Sequence, residues 1–388
     1  MTRRDYRIDV PESVLVDLRE RLGRVRWAEG LPSATGDPWE RGASVAYVRE
    51  LCDYWRTPYD WRAQEAALNA WPQFMSTIDG VDIHYWHVRG TAAEPGSAGP
   101  SPMPLILVHG WPGSIFEFHH LIGPLTDPAP HGGDPADAFD VVIPSLPGFG
   151  FSGKPAQPGW GPQRTARAFH ELMTRELGYA RYGTQGGDWG SAVTLAMAAS
   201  HPQAVIGAHL NFVAGFPTPE QAKEPEAKPY LDHAAAIQRD EMGYFQVQST
   251  KPMSLGIAQS DSPAGIAAWI VEKFRTWSDC DGDIERVYTK DQLLTNIMFY
   301  WAPNSIASAA NMYYESRREG RGLAGDRITV PVGAAIFPKE LVRCPRSWAE
   351  ARMNVARWTE MPRGGHFAAL EQPALLLDDI RAFFRELR

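Results

Sequence analysis

One pentapeptide constrains this chain more than any other: Gly186-Gly187-Asp188-Trp189-Gly190, set between a short strand-like run and the small-residue helical stretch 191–199. Three glycines around a single acid ask for a strained turn in which flanking side chains would collide. The helix that follows directs its free amides and the positive end of its dipole at Asp188, which favours an ionised carboxylate there. An Asp before a helix is ordinarily only a cap. The glycines, and the segments described next, set this one apart.

Residues 105–108 and 141–143 are short apolar runs bounded by turn residues, the pattern of strands buried on both faces. A helical stretch follows at 163–177, and a strand–turn–helix unit spans 180–199. The strand pattern returns at 328–336, before a closing helix at 373–387. Strands alternating with helices predict an α/β sheet covered on both faces. Between 214 and 326 the strand signal gives way to long, Pro-interrupted helical stretches, an insertion of the kind that forms lids. Ahead of the sheet, helical spacing at 11–28 (Val14, Leu15, Leu18, Leu22, Val25) and at 44–68 precedes an alternating stretch at 74–87. Asp79-Gly80 supplies its hairpin turn. Residues 90–104, rich in Ala, Pro, Gly and Ser, form a surface loop. The expected organisation is an N-terminal extension at 1–100, a core at 101–213 and 327–388, and a helical lid at 214–326.

Composition narrows the class. With 388 residues, 44% hydrophobic and 22% charged, the chain has the balance of a globular protein of two or three structural units. A net charge of −8 argues against a nucleic-acid partner or an anionic membrane surface. The first ten residues mix Arg3, Arg4, Asp5, Arg7 and Asp9 with few apolar side chains, unlike a leader or a membrane span. Cys52, Cys280 and Cys344 are odd in number and far apart, with no C-x-x-C pair. They are expected to be reduced, buried thiols of a cytoplasmic protein rather than zinc ligands or a disulfide framework.

The pentapeptide has the form G-x-nucleophile-x-G, with Asp where serine hydrolases carry Ser. A carboxylate needs no base in order to attack. It suits substitution at a saturated carbon and leaves an ester that water must cleave. A rival serine in Gly150-Phe151-Ser152-Gly153-Lys154 fails because Lys154 occupies the last glycine position. His109-Gly110-Trp111-Pro112-Gly113 directly follows an apolar strand and can aim a backbone N–H into a pocket. With the residue after the nucleophile, it predicts oxyanion donors at the backbone amides of Trp111 and Trp189. Pro112 admits a cis Trp111–Pro112 bond. His109 is expected to brace this loop. Gly364-Gly365-His366-Phe367 places a histidine on a Gly-Gly loop before the last helix, and the order nucleophile, acid, His is that of α/β-hydrolases. Glu340, just after the strand at 328–336, is the leading acid to orient His366. Asp326, before that strand, and Asp379, inside the final helix, are weaker rivals.

On these residues the chain resembles the microsomal-type epoxide hydrolase family. Tyr6-Arg7-Ile8-Asp9-Val10-Pro11, residues 17–22, Arg26-Trp27, Tyr54-Trp55, Trp61-Arg62 and residues 69–83 are similar to that family's N-terminal domain. Residues 109–113, 146–152, 186–191 and 364–368 are similar to its other blocks. The resemblance implies an α/β-hydrolase fold with a helical lid and an N-terminal extension. It implies hydrolysis of an epoxide to a vicinal diol, with Asp188, His366 and Glu340 catalytic and no metal or organic cofactor. It also implies two lid tyrosines. The block Gly243-Tyr244-Phe245-Gln246 places the first at Tyr244, and counting from Tyr300-Trp301 points to Tyr313 for the second, with Tyr314 adjacent. The partners expected are a small apolar or aromatic epoxide and water, with a homodimer as a candidate assembly and, from the charge, neither nucleic acid nor membrane. The family's microsomal members carry an N-terminal membrane anchor that this chain does not show, so a soluble form is expected. Ala, Gly, Pro and Arg usage resembles that of actinomycete proteins, which suggests an epoxide of secondary metabolism. The same Asp chemistry serves haloalkane dehalogenases, which need halide-binding donors in place of the tyrosines. A non-catalytic small-molecule-binding relative would have lost part of the nucleophile–acid–base set.

Overall fold

Short apolar segments that bury both faces assemble side by side, and here they build a single sheet. The structure, a computed structural model, describes residues 3–388 apart from 31, 92–100, 216, 226 and 321–326. Its strands are β1 (Arg4–Tyr6), β2 (Gln73–Ile78), β3 (Val81–Val88), β4 (Met103–Val108), β5 (Phe139–Pro144), β6 (Tyr182–Gly186), β7 (Val205–Leu210), β8 (Ile328–Ile336) and β9 (Met353–Glu360). Their order is β1-β2-β3-β5-β4-β6-β7-β8-β9. From β5 to β9 every neighbouring pair is parallel, while β1, β2 and β3 add an antiparallel edge. This is the α/β-hydrolase fold. All six residues of β5 are buried, as a parallel strand covered by helices requires. The β2–β3 turn uses left-handed backbone at both Asp79 (φ 49°) and Gly80 (φ 77°), the geometry that matches strand twist.

Helices α1 (Glu12–Leu22), α2 (Val45–Arg56) and α3 (Trp61–Leu68) form the N-terminal layer. The first ends earlier than its spacing suggests, its last turn tightening as the Arg24 amide bonds the Arg21 carbonyl three residues back. Val25 then packs against the core from outside the helix. Flanking the sheet are α4 (His119–Thr126), α5 (Pro162–Glu171) and α6 (Asp188–Ser200). The insertion contains α7 (Ala227–Asp240), α8 (Gly243–Thr250), α9 (Pro252–Asp261), α10 (Pro263–Trp277), α11 (Lys290–Trp301) and α12 (Ile306–Glu319). The chain closes with α13 (Arg346–Glu350), α14 (Ala368–Glu371) and α15 (Pro373–Arg385).

Strands β7 and β9 interrupt their apolar pattern with His209, Arg357 and Thr359. One buried carboxylate contacts all three. Asp379 of α15 lies 2.9 Å from His209 Nε2 and accepts from Arg357 Nε and Thr359 Oγ1, each at 2.7 Å. The N-terminal layer grips the insertion from outside. Tyr59 shares a buried hydrogen bond with Thr295 at 3.1 Å, and Tyr54 donates to Asp291 at 3.0 Å. Lys290 pairs with Glu50 at 2.9 Å, and Arg275 with Asp37 at 3.1 Å. Cys52, Cys280 and Cys344 are all free and buried. Among the described residues no helix is long and apolar enough to cross a membrane.

Candidate active site

Val108 at the end of β4 pairs with Gly186 at the end of β6, so the two loops beyond them leave the sheet side by side. Asp188 starts α6 with φ 49°, a left-handed conformation that few non-glycine residues adopt. Its neighbours have to be glycine. A Cβ on Gly190 would lie 1.8 Å from the Val108 carbonyl oxygen, and one on Gly110 would lie 2.3 Å from Asp188 Oδ1. The Trp111 amide donates to Asp188 Oδ1 at 2.8 Å, and the Trp189 amide also acts on this carboxylate. Removal from water raises the Asp188 pKa, while His366 and then the two amides pull it back. The Trp111–Pro112 bond is cis.

The loops after β8 and β9 bring in the next two groups. His366 Nδ1 bonds Glu340 Oε1 at 2.7 Å, and its Nε2 lies 3.6 Å from Asp188 Oδ2. The His366 amide donates to the Trp277 carbonyl at 2.9 Å, and the imidazole stands edge-on to the Trp277 indole at 5.1 Å. The preceding glycine permits this approach, since a Cβ on Gly365 would meet the Trp277 oxygen at 2.4 Å. Burial pushes the His366 pKa down, but Glu340, Asp188 and Glu117 outweigh it and hold it at about 9. Asp379 is committed to His209, Arg357 and Thr359, and Asp326 lies outside the described residues.

Two tyrosines close the site from the insertion. Tyr244 on α8 is stacked on Trp111, with centroids 5.0 Å apart. Tyr313 on α12 stands edge-on to Trp111 at 5.8 Å, to Trp189 at 4.7 Å and to Tyr244 at 5.8 Å. Burial raises both phenols, and the nearby Asp188 charge raises them further. The Tyr313 hydroxyl is buried without a hydrogen-bond partner. Tyr314 is half-buried beneath the Arg318 guanidinium, which sits 3.3 Å from its ring centroid.

His109 donates from Nδ1 to the Gly110 carbonyl at 3.0 Å and accepts the Leu146 amide at Nε2 at 3.1 Å, and burial lowers its pKa to about 4. It braces the loop. Ser152 donates to the Ser145 carbonyl at 2.8 Å and accepts the His84 amide at 3.0 Å. Three site residues escape sequence reasoning. Trp277 carries no local signal. Lys273 sits 5.2 Å from the Tyr244 ring centroid, ion-paired with Glu272 at 2.5 Å and Glu241 at 3.7 Å. Glu117 lines the same cavity as Asp188 and His366, and its signal was present: it is a lone acid in the apolar run Ile115-Phe116-Glu117-Phe118.

Comparison with known proteins places this arrangement. The family described as "Epoxide hydrolase N terminus" matches residues 3–118, and the one described as "alpha/beta hydrolase fold" matches residues 103–227. A Stigmatella aurantiaca protein assigned as an epoxide hydrolase is 46% identical over 99% of this chain and 85% of its own length. Epoxide hydrolase 1 of Oryctolagus cuniculus is 36% identical over 98% of this chain and 88% of its own. The juvenile hormone epoxide hydrolase of the silkworm Bombyx mori superposes with a TM-score of 0.89 at 30% identity, over 100% of this chain and 95% of that one. Sheet order, N-terminal layer and near full-length similarity agree, and the chain belongs to the epoxide hydrolase family.

Proposed function

We propose that this enzyme opens its epoxide with Asp188, through a covalent alkyl ester, and releases a vicinal diol after hydrolysis by water activated at His366. The observation that carries the reading is the placing of two buried phenols, Tyr244 and Tyr313, both packed on Trp111 and both close enough to Asp188 to feel its charge. A saturated carbon–oxygen bond needs a nucleophile on carbon and a proton for the departing oxygen. Asp188 Oδ1 is held by the Trp111 amide, which leaves Oδ2 to attack. As the ring carbon–oxygen bond breaks, the oxygen takes a proton from a tyrosine, help of about 10²–10⁴-fold. Esterification removes the Asp188 charge that helps keep His366 protonated, so the imidazole gives its proton to the tyrosinate left by ring opening and becomes a base. It takes a proton from water, whose oxygen adds to the Asp188 carbonyl carbon. The Trp111 and Trp189 amides hold the resulting oxyanion, each worth about 3 kcal/mol. On collapse the diol oxygen takes the proton from His366, and the proton left on the Asp188 carboxyl passes back to the imidazole, restoring the carboxylate and the resting charge. The substrate class this pocket favours is an apolar or aromatic epoxide, since the rings of Trp111, Trp277 and Phe245 pack around the two phenols.

Single-turnover hydrolysis of a styrene-type epoxide in ¹⁸O-water tests the scheme. The first diol should be unlabelled and the label should then reside in Asp188; label in the first diol would exclude the ester. His366→Gln should accumulate the ester, visible as a mass increment on the peptide containing Asp188. A second reading rests on Trp111 Nε1 and Trp189 Nε1, both buried without hydrogen-bond partners and available as donors to a halide. Halide release from a haloalkane, with no diol formed from epoxides, would favour it.

A further inference from the structure

Ester hydrolysis needs a place for one water molecule beside the Asp188 carbonyl carbon and His366 Nε2. Nδ1 of that histidine is already bonded to Glu340. The cavity lined by Gly110, Trp111, Glu117, Asp188, Asn211 and His366 has about 10 Å³ of room for water centres, which is the size of one water site. A buried water is held by two to four polar partners. His366 takes one of its protons and Asp188 receives its oxygen, so the remaining O–H needs a hydrogen-bond acceptor to hold the water in line.

Glu117 is built into that position at some expense in sequence freedom. It lies on the 3-10 helix Ile115–Phe118, whose other three members are core residues. Its carboxyl group fills the place where a side chain on Gly113 would be: a Cβ there would lie 1.3 Å from Glu117 Oε1. Gly113 does not have positive φ, so its backbone conformation does not call for glycine. The glycine makes room for the acid. The charged and titratable groups around Glu117 come from three other segments: Asp188 on the elbow, His366 after β9, and Tyr288 and Tyr300 at either end of the α11 segment. Removal from water raises the Glu117 pKa to about 8, with His366 pulling it down and Asp188 pushing it up. Near neutral pH it is therefore an uncharged acid, whose carbonyl oxygen can accept a hydrogen bond from water without repelling the nearby oxyanion.

We propose that Glu117 is the water-positioning residue of the hydrolytic step, holding the attacking water against His366 Nε2 and facing the Asp188 carbonyl carbon. This rests on the ester reading above, and the test separates the two. Formation and decay of the ester on styrene oxide are followed by stopped-flow fluorescence and rapid-quench mass spectrometry in the parent enzyme, His366→Gln, Glu117→Gln and Glu117→Leu. In Glu117→Leu the ester should form within about threefold of the parent rate but decay about 10²-fold more slowly, with kcat and KM falling together. Glu117→Gln keeps the carbonyl acceptor and should restore most of the decay rate at neutral pH, a rescue that a purely structural role would not give. If the leucine variant does not fold, Glu117→Ala takes its place with the same expectation. Ester decay within twofold of the parent, equal losses in formation and decay, or a glutamine variant as slow as leucine would each overturn the assignment. Absence of ester even in His366→Gln would remove the Asp188 reading, and this inference with it.

Discussion

At the scale of single residues, the site is a balance of charge around His366. Glu340 on one side and Asp188 on the other outweigh the cost of burial and hold the imidazole protonated to about pH 9 in the resting enzyme. A protonated histidine is not a base; under the proposed ester scheme, loss of the Asp188 charge on esterification would free it to act as one. Asp188→Asn imitates the uncharged ester. It should move the His366 titration to lower pH in ring-proton NMR, relative to the parent. A titration that stays put or rises would mean that Asp188 does not control the base. The same residues show what sequence makes legible. Asp188 and His366 stand out because glycine is written beside them, and those glycines are needed for close contacts that the chain makes locally or with one facing loop. Tyr244 and Tyr313 are picked out of 13 tyrosines by family resemblance alone, since nothing in their own periodicity distinguishes a proton donor from packing.

At the scale of elements, β4, β5 and β8 are legible as apolar runs, whereas β1, β7 and β9 are not. The first of these is three residues of charged edge, Arg4-Asp5-Tyr6. The other two carry polar groups whose acceptor arrives from α15, 170 residues beyond His209 and 20 to 22 beyond Thr359 and Arg357, and the pattern within a strand cannot register a partner on another element. That partner, Asp379, has a stability role. Burial alone would raise its pKa, but His209, Thr359 and Arg357 bring it down to about 2, below the 3.8 of a free aspartate. The folded state therefore binds this proton less readily than the unfolded chain does. The stabilisation, about 2 kcal/mol, is complete above pH about 4 and lost as the pH falls through about 2. Asp379→Asn should lower urea stability by at least that amount at pH 6 and flatten its decline between pH 4 and 2. A parent-like acid profile would refute the role.

At the scale of the whole molecule, the insertion is clamped between the sheet and the N-terminal layer. Tyr54 and Tyr59 reach α11 directly, and the contact with Thr295 is buried. Each hydrogen bond of this kind is worth about 1 kcal/mol net. Removing both hydroxyls with Tyr54→Phe and Tyr59→Phe should speed amide exchange in α11 by roughly fivefold or more while β4 and β6 stay protected. Uniform acceleration would show instead that the whole domain had been destabilised. None of these contacts is visible in sequence, since neither Tyr54 on α2 nor Tyr59 in the α2–α3 connection carries a local signal of a partner on α11.

The clamp also sets an order of events during synthesis. Tyr54 must wait for Asp291, 237 residues further on, before it finds its partner. At about 5–20 residues per second, a ribosome leaves the N-terminal layer without that contact for roughly 10–50 s. Throughout that interval the apolar faces of α2 and α3 have only the earlier part of the chain to cover them. The layer formed by α1, α2 and α3 is thus among the last parts to be secured, and a newborn chain stalled before α11 would present those faces to chaperones.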